Sequence, residues 1–198
     1  ELVIRDWSSD VCSSDLALLE AHGALVREFP DLLFIVAPRN PNRATEIARL
    51  GSRFGFRASM RSSGGTAAGY GVYILNTLGE LGRFYAIADV AFVGGSWVPF
   101  GGHNPLEAAA QGKPACWGPH LHNFRELESA LLEMGCYERV GSKQDLIGFV
   151  RGCLASPARR REALYKTSVF LENHRGAVLR ILEHIVRESG KSCPGPSC

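Results

Sequence analysis

A chain of 198 residues with 45% hydrophobic content can bury one substantial core, so a single domain is the default expectation. Its formal net charge of +2 at pH 7 is too small to argue for a nucleic-acid partner on electrostatic grounds. The sequence contains no apolar stretch near the roughly 18 residues that span a bilayer, so we expect a soluble chain. Its six cysteines form no C-x-x-C pair, which disfavours a zinc site and a disulfide framework and indicates a reducing compartment.

Both ends of the chain differ in composition from the middle. Residues 1–15 carry two Ser-Ser-Asp repeats without a sustained hydrophobic period, and they resemble a translated adapter or assembly artefact. A natural disordered linker is the alternative. Residues 189–198 are rich in Pro, Gly, Ser and Cys, which predicts an unstructured tail. We therefore expect the folded domain to occupy residues 16–188.

Between these ends, amphipathic and continuous apolar segments alternate along the chain. In chain order, the pattern predicts a helix at 16–28, a strand at 32–37, a helix at 42–54, a loop at 59–69, a strand at 70–75, a helix at 78–88, a strand at 90–93, a helix at 104–111, a strand at 114–117, a helix at 123–134, a strand at 137–140, and helices at 144–154 and 157–188. Strands that alternate with helices indicate an α/β fold. We expect a Rossmann-like parallel sheet with helices on both faces.

Polar and glycine-rich clusters follow four of the predicted strands. Because the carboxyl ends of parallel strands meet at one edge of a sheet, we expect these clusters to form one site. The glycine pairs at 94–95 and 101–102 would let a ligand approach the backbone, and a helix that begins at Asn104 and Pro105 would favour an anion. The clusters are Pro38-Arg39-Asn40, residues 76–80, residues 94–96 with 101–107, and residues 118–120 with Asn123-Phe124.

The carboxylates of these clusters also have a purely structural interpretation. Asn104, Pro105 and Glu107 have the spacing of N-cap, N1 and N3 in a capping box, and Thr77 and Glu80 have the same three-residue spacing. A carboxylate at N3 can still accept hydrogen bonds from ribose hydroxyls through its other lone pairs. Capping and ligand binding therefore both remain open for Glu107.

The basic residues are open to two interpretations as well. Arg39 is either a solvated surface arginine or, just after a buried strand, a ligand for a phosphate group. His103 and His120 are either loop histidines with structural hydrogen bonds or ligand contacts. The sequence has no metal-ligand spacing, so we expect no bound metal and no cofactor.

The order and spacing of five blocks resemble those of 3-deoxy-D-manno-octulosonic acid (Kdo) transferases. The similarity runs from about Leu16 to about Val186 and is most specific at PRN (38–40), NTLGEL (76–81), ADVAFVGGS (88–96), GGHNPLEAAA (101–110) and GPHLHNF (118–124). The resemblance implies the C-terminal half of a GT-B glycosyltransferase, the half that holds the donor CMP-Kdo. It also implies an enzyme that moves Kdo to a lipid A precursor at the cytoplasmic face of the bacterial inner membrane and releases CMP.

The resemblance also implies which residues contact CMP. Three segments match the family position by position, and they are Pro38-Arg39, Leu78-Gly79-Glu80 and Asn104-Pro105-Leu106-Glu107. Possible further donor contacts are Gly95, Ser96, Gly102, His103 and His120. The family usually has His where Asn40 stands, Asp where Asn76 stands and Met where Leu78 stands.

The family's N-terminal domain, with its membrane anchor, acceptor site and general base, has no counterpart in this sequence. We therefore expect no catalytic residue on this chain and no transfer by the chain alone. Two alternatives remain. One is the donor domain of another GT-B enzyme, a UDP-sugar transferase or a sugar-nucleotide epimerase, and the other is a non-catalytic nucleotide-binding fragment.

Overall fold

The computed structural model describes residues 2–6, 13–64 and 66–174, with side chains from residue 15 onward. Strands and helices alternate along these residues. They are β1 (Leu2–Asp6), α1 (Ser13–Leu25), β2 (Phe34–Pro38), α2 (Ala44–Arg53), β3 (Ala58–Met60), β4 (Val72–Ile74), α3 (Leu81–Ile87), β5 (Val90–Val93), α4 (Leu106–Ala109), β6 (Ala115–Trp117), α5 (Arg125–Glu133), β7 (Tyr137–Arg139), α6 (Lys143–Ala155) and α7 (Pro157–His174). Short 3-10 turns precede α2 and α5 and follow β3.

The strands form one seven-stranded parallel sheet in the order β3-β4-β2-β1-β5-β6-β7. After β1, the chain forms β2, β3 and β4 on one side of this strand and then β5, β6 and β7 on the other side. The strand order therefore reverses at β1. Ligands of doubly wound sheets bind beyond the carboxyl ends of the strands, near such a reversal. The predicted α/β fold with a parallel Rossmann-like sheet is confirmed.

Each face of the sheet carries its own hydrophobic core. Along β2, Phe34 and Val36 point into one core, which α1, α2 and α6 cover, whereas Ile35 points into the other. The second core contains Trp117 and Leu131 and is covered by α3, α4, α5 and α7. Because both faces are covered, the central strands are continuous apolar runs, which is the pattern that made them recognisable in the sequence.

Residues 2–6 form a strand where the sequence predicts an unstructured leader. The backbone of β1 pairs in parallel with β2 and with β5, with Leu2 opposite both Phe34 and Val90. The backbone of this strand completes the hydrogen bonding of two strands that would otherwise be separated. The foreign origin of residues 1–15 stays a prediction.

Further element boundaries differ from the sequence prediction. Residues 58–60, which the sequence assigns mostly to a loop, form the edge strand β3, followed by a 3-10 turn at Arg61–Ser63. Helices α3 and α4 are shorter than predicted, and α4 is a single turn of four residues. The predicted continuation of the last helix to residue 188 and the predicted tail at 189–198 lie outside the described residues.

Ion pairs link α6 to α1 and to the turn that follows α1. Arg151 of α6 makes a two-pronged bond with Glu28, at 2.8 Å from Nε to Oε2 and 2.7 Å from Nη2 to Oε1. Lys143 of α6 pairs with Glu20 of α1. Within the described part of the chain, no helix has both the length and the apolar character that a membrane crossing requires.

Candidate functional site

A cavity of about 530 Å³ lies at the carboxyl edge of the sheet. Its lining comes from the segments that follow four strands, which are β2, β4, β5 and β6. The lining residues are Ala37, Pro38, Arg39, Leu75, Thr77, Leu78, Gly79, Leu81, Gly102, His103, Asn104, Glu107, Asn123 and Phe124. The structure therefore brings together most of the residues that the sequence proposes for a binding site.

The segment after β2 supplies a positive charge. Pro38 is buried at the end of the strand, and Arg39 follows it at an exposed position in the cavity wall. Asn40 then begins a 3-10 turn, in which its Oδ1 accepts a hydrogen bond from the backbone N–H of Asn42 at 3.1 Å. The amide of Asn40 thus stabilises the turn that follows Arg39, a local role consistent with the preference of asparagine for such turns.

The segment after β4 is organised around Glu80. Its carboxylate accepts hydrogen bonds from Arg61, at 2.8 Å from Nη2 and 3.1 Å from Nε, and from the hydroxyl of Thr77. Arg61, and then Thr77, lower the pKa of Glu80 to about 2. The predicted capping box at Thr77 and Glu80 is wrong, because α3 begins only at Leu81 and the carboxylate of Glu80 is bound to Arg61 and Thr77 instead.

The loop after β5 contains the glycine pair Gly101-Gly102, which the sequence predicts to lie at the binding site. Gly101 has φ of 90° and Gly102 has φ of 74°, so both adopt the left-handed backbone that glycine permits. The glycines are also required by packing, since a Cβ on Gly102 would lie 2.2 Å from Cδ1 of Leu121. The loops after β5 and β6 therefore interlock, and this contact builds one wall of the cavity.

Residues of the segment 104–107 both cap a turn and line the cavity. Oδ1 of Asn104 accepts a hydrogen bond from the N–H of Leu106 at 3.0 Å, so the amide does cap the turn. Asn104 and Glu107 line the cavity, whereas Pro105 and Leu106 lie outside its wall. Because α4 has only four residues, its dipole is smaller than that of the eight-residue helix that we expected.

Ser96 links the loop after β5 to the loop after β6 through hydrogen bonds. It is fully buried, its hydroxyl donates to the carbonyl of Val93 at 2.5 Å, and it accepts from the N–H of Gly118 at 2.8 Å. The carbonyl of Ser96 accepts from the N–H of His120 at 2.9 Å. Gly95, Ser96 and His120 are not among the residues of the described cavity lining, and the donor contact suggested for each stays a prediction.

The remaining suggested donor contacts do line the cavity. Gly102 and His103 form part of its wall, and His103 is 7% exposed. Asn123 and Phe124, which belong to the cluster that the sequence places after β6, also line the cavity. Within the described residues, no group of three His, Cys, Asp or Glu side chains is placed to hold a metal ion.

Known proteins with similar sequences are Kdo transferases. The chain is 37% identical over 172 residues to 3-deoxy-D-manno-octulosonic acid transferase of Haemophilus influenzae and 34% identical over 174 residues to the enzyme of the same name from Bordetella pertussis. Each match covers 85% of this chain but only 40% and 41% of the relatives, so the chain spans about two-fifths of their length. No protein-family model matches the chain.

A solved structure supports the same relationship. The C-terminal CMP-Kdo binding domain of WaaA from Acinetobacter baumannii superimposes with a TM-score of 0.77 at 28% identity, over 86% of this chain and 89% of that one. The match thus extends over nearly all of a solved C-terminal domain. The chain is a relative of the 3-deoxy-D-manno-octulosonic acid transferases, and its fold is that of the C-terminal half of these GT-B glycosyltransferases.

Proposed function

We propose that this domain binds CMP-Kdo in the cavity at the carboxyl edge of the sheet. The proposal rests on the positions of Arg39 and Glu107, which line the same cavity. The volume of this cavity, about 530 Å³, is within the usual range of small-molecule sites. A cation suits the phosphate of a nucleotide, and a carboxylate suits its ribose hydroxyls. The related Acinetobacter domain is described as CMP-Kdo binding, which supports the same ligand.

The proposed roles of the cavity residues follow from their chemistry. Arg39 would donate charge-assisted hydrogen bonds to the phosphate, and Glu107 would accept hydrogen bonds from the ribose. Asn104 uses its Oδ1 to cap the turn, so its amide nitrogen would donate to the nucleotide. Leu78 and Gly79 would offer an apolar contact and backbone groups. Glu80 would act through the backbone of its segment, because its carboxylate is bound to Arg61 and Thr77.

In a complete enzyme, we propose that this domain supports transfer of Kdo to a lipid A precursor at the cytoplasmic face of the inner membrane. A base elsewhere in that enzyme would take the proton of the acceptor hydroxyl while the oxygen attacks the anomeric carbon of Kdo. The bond from that carbon to the phosphate oxygen would break, and its electron pair would leave with CMP. Arg39 would stabilise the negative charge that develops on the departing phosphate.

Calorimetric titration with CMP tests the binding proposal. The domain should bind CMP, and Arg39→Ala should weaken binding by about 1.5–3 kcal/mol, the usual worth of a hydrogen bond to a charged group. Arg53→Ala, at an exposed position on α2 away from the cavity lining, is the matched control and should leave the affinity unchanged. Equal affinity for UDP and CMP would favour a different GT-B donor, and no binding of CMP would overturn the proposal.

A further inference from the structure

We propose that Arg61 is a positioning residue for the CMP-binding segment 76–80, although Arg61 is not part of the described cavity lining. This inference rests on the function proposed above. Arg61 stands in the 3-10 turn Arg61–Ser63, directly after the edge strand β3, whereas residues 76–80 follow the neighbouring strand β4. The two segments therefore leave the same edge of the sheet side by side.

The first link between the two segments is the ion pair of Arg61 and Glu80. The guanidinium approaches the carboxylate with two nitrogens, Nη2 at 2.8 Å from Oε1 and Nε at 3.1 Å from Oε2. A two-pronged pair of this kind fixes orientation as well as distance. The Thr77 hydroxyl donates to the same carboxylate, so the Glu80 carboxylate bonds both to Arg61 and to another residue of its own segment.

The second link is a pair of hydrogen bonds between Asn76 and Ser62. The backbone N–H of Ser62 donates to Oδ1 of Asn76 at 3.0 Å, and Nδ2 of Asn76 donates to the hydroxyl of Ser62 at 2.8 Å. Asn76 and Glu80 stand at the two ends of the segment. Consecutive residues of the 3-10 turn thus anchor both ends of a five-residue stretch that reaches into the cavity wall.

The tip of the segment has little packing of its own. Leu78 is 82% exposed, and Gly79 has φ of 81°. Among the described residues, no heavy atom beyond its chain neighbours would come within 4 Å of a Cβ on Gly79. Because side-chain packing does not hold the tip, its position depends on the two anchored ends. Without the Arg61–Glu80 pair, the tip would become ordered only when the nucleotide binds. The cost of this ordering would lower the affinity for the nucleotide.

The matched control is the pair of Arg151 and Glu28 on the face covered by α1 and α6. It has the same two-pronged geometry, with distances of 2.8 and 2.7 Å, and both side chains are 45–46% exposed. Neither residue lines the cavity in the described structure. Arg151→Met therefore removes an equivalent surface ion pair at a site where no effect on nucleotide binding is expected.

The test measures CMP affinity by calorimetry and amide hydrogen exchange over residues 76–80. Arg61→Met should weaken CMP binding about tenfold, the cost of ordering one or two additional side chains on binding, while Arg151→Met should not change it. Arg61→Lys, which keeps the charge but not the two-pronged geometry, should recover part of the loss. Exchange over residues 76–80 should rise in Arg61→Met without ligand.

A double-mutant cycle separates positioning from direct contact. If Arg61 acts through Glu80, adding Arg61→Met to Glu80→Ala should cause little further loss of affinity. Additive losses would mean that Arg61 attracts the nucleotide itself, and equal effects of Arg61→Met and Arg151→Met would mean a general charge effect. Either result overturns the inference. If the parent chain does not bind CMP, the proposed function is refuted. The anchoring role of Arg61 is tested separately by hydrogen exchange without ligand, and unchanged exchange over residues 76–80 in Arg61→Met would refute it.

Discussion

The side chain of Asn123 lies so close to Gly101 that a Cβ on the glycine would stand 2.1 Å from its Nδ2 atom. The backbone of Gly101 is also left-handed, with φ of 90°. The N–H of Asn123 donates to the carbonyl of Gly101 at 3.3 Å, so backbone and side chain both bring the two loops together. The shape of the cavity wall therefore depends on the absence of a side chain at this position.

Substitution of Gly101 by alanine should destabilise the domain. The positive φ alone should cost about 1 kcal/mol, and displacement of Asn123 should add to it. The control is Gly148→Ala in the interior of α6, where nothing among the described residues obstructs a Cβ and alanine should stabilise the helix by about 0.5–1 kcal/mol. Urea denaturation measures both. Two variants with the same change in unfolding free energy would contradict this account.

Glu107→Gln should separate binding from folding. Glutamine is close in size to glutamate and keeps a side-chain oxygen that accepts hydrogen bonds. Asn104 also caps the turn through the N–H of Leu106, so Glu107→Gln should leave the unfolding free energy nearly unchanged. Loss of the carboxylate acceptor should weaken CMP binding by about 1.5 kcal/mol or more. Glu126→Gln, at an exposed position in the first turn of α5, is the control for the change in net charge. If Glu107→Gln bound CMP as well as the parent, the ribose role of Glu107 would have to be withdrawn.

The stability of the domain should fall in mildly acidic solution because of His22. This residue of α1 is fully buried, with its ring 4.6 Å from that of Phe56 and 5.5 Å from that of Phe34, measured between centroids. Burial lowers the pKa of His22 to about 4 from the ordinary value of 6.5. The unfolded chain therefore binds a proton at His22 at a higher pH than the folded chain does. The contribution of neutral His22 to the free energy of unfolding is fully present above about pH 6.5 and is lost as the pH falls toward about 4.

Between pH 7 and pH 5 the contribution of His22 should decrease by about 2 kcal/mol. Urea denaturation at the two pH values, for the parent and for His22→Leu, measures this difference directly. The variant should show a much smaller decrease over the same interval. An identical decrease in both proteins would assign the acid sensitivity to other groups.

Removal of residues 1–12 should lower the thermal midpoint. The backbone of β1 pairs with β2 on one side and β5 on the other, so its loss exposes two strand edges at the centre of the sheet. A decrease of only a few kcal/mol in the free energy of unfolding would lower the thermal midpoint of a domain of this size by about 10 °C. Removal of residues 189–198, the tail that the sequence predicts to be unstructured, should have little effect. Equal midpoints for the parent and the variant without residues 1–12 would support the unstructured leader instead.

Those parts of the fold that depend on local pattern could be predicted from the sequence. Strand β5 spans the predicted residues, because Val90–Val93 is a continuous apolar run that both cores cover. Strand β1 could not be predicted, since its short run gains its place only from partners more than 25 residues away in the chain. The edge strand β3 has three residues, too few for a period to be visible.

The candidate site shows the same division. Arg39 could be predicted because it directly follows β2, and Asn104 and Glu107 because they stand where the loop after β5 leads into a helix. Parallel strands bring the segments that follow them to one edge of the sheet. The ion pair of Arg61 and Glu80 could not be predicted, because the two residues are 19 positions apart in the chain and meet only through the neighbouring strands β3 and β4. The three-residue spacing of Thr77 and Glu80 instead suggested a helix cap.

The reversal of strand order at β1 divides the cavity wall between two halves of the domain. Arg39 and Leu78 extend from the half formed by β2, β3 and β4, while Glu107 and Asn123 extend from the half formed by β5, β6 and β7. A nucleotide whose phosphate meets one half and whose ribose meets the other would act as a non-covalent crosslink across the fold. Its binding free energy would then be added to the stability of the whole domain, by about 2.7 kcal/mol at a ligand concentration 100 times the Kd. Neither half of the sheet would hold the nucleotide without the other, so occupancy of this cavity would report on the integrity of the entire domain.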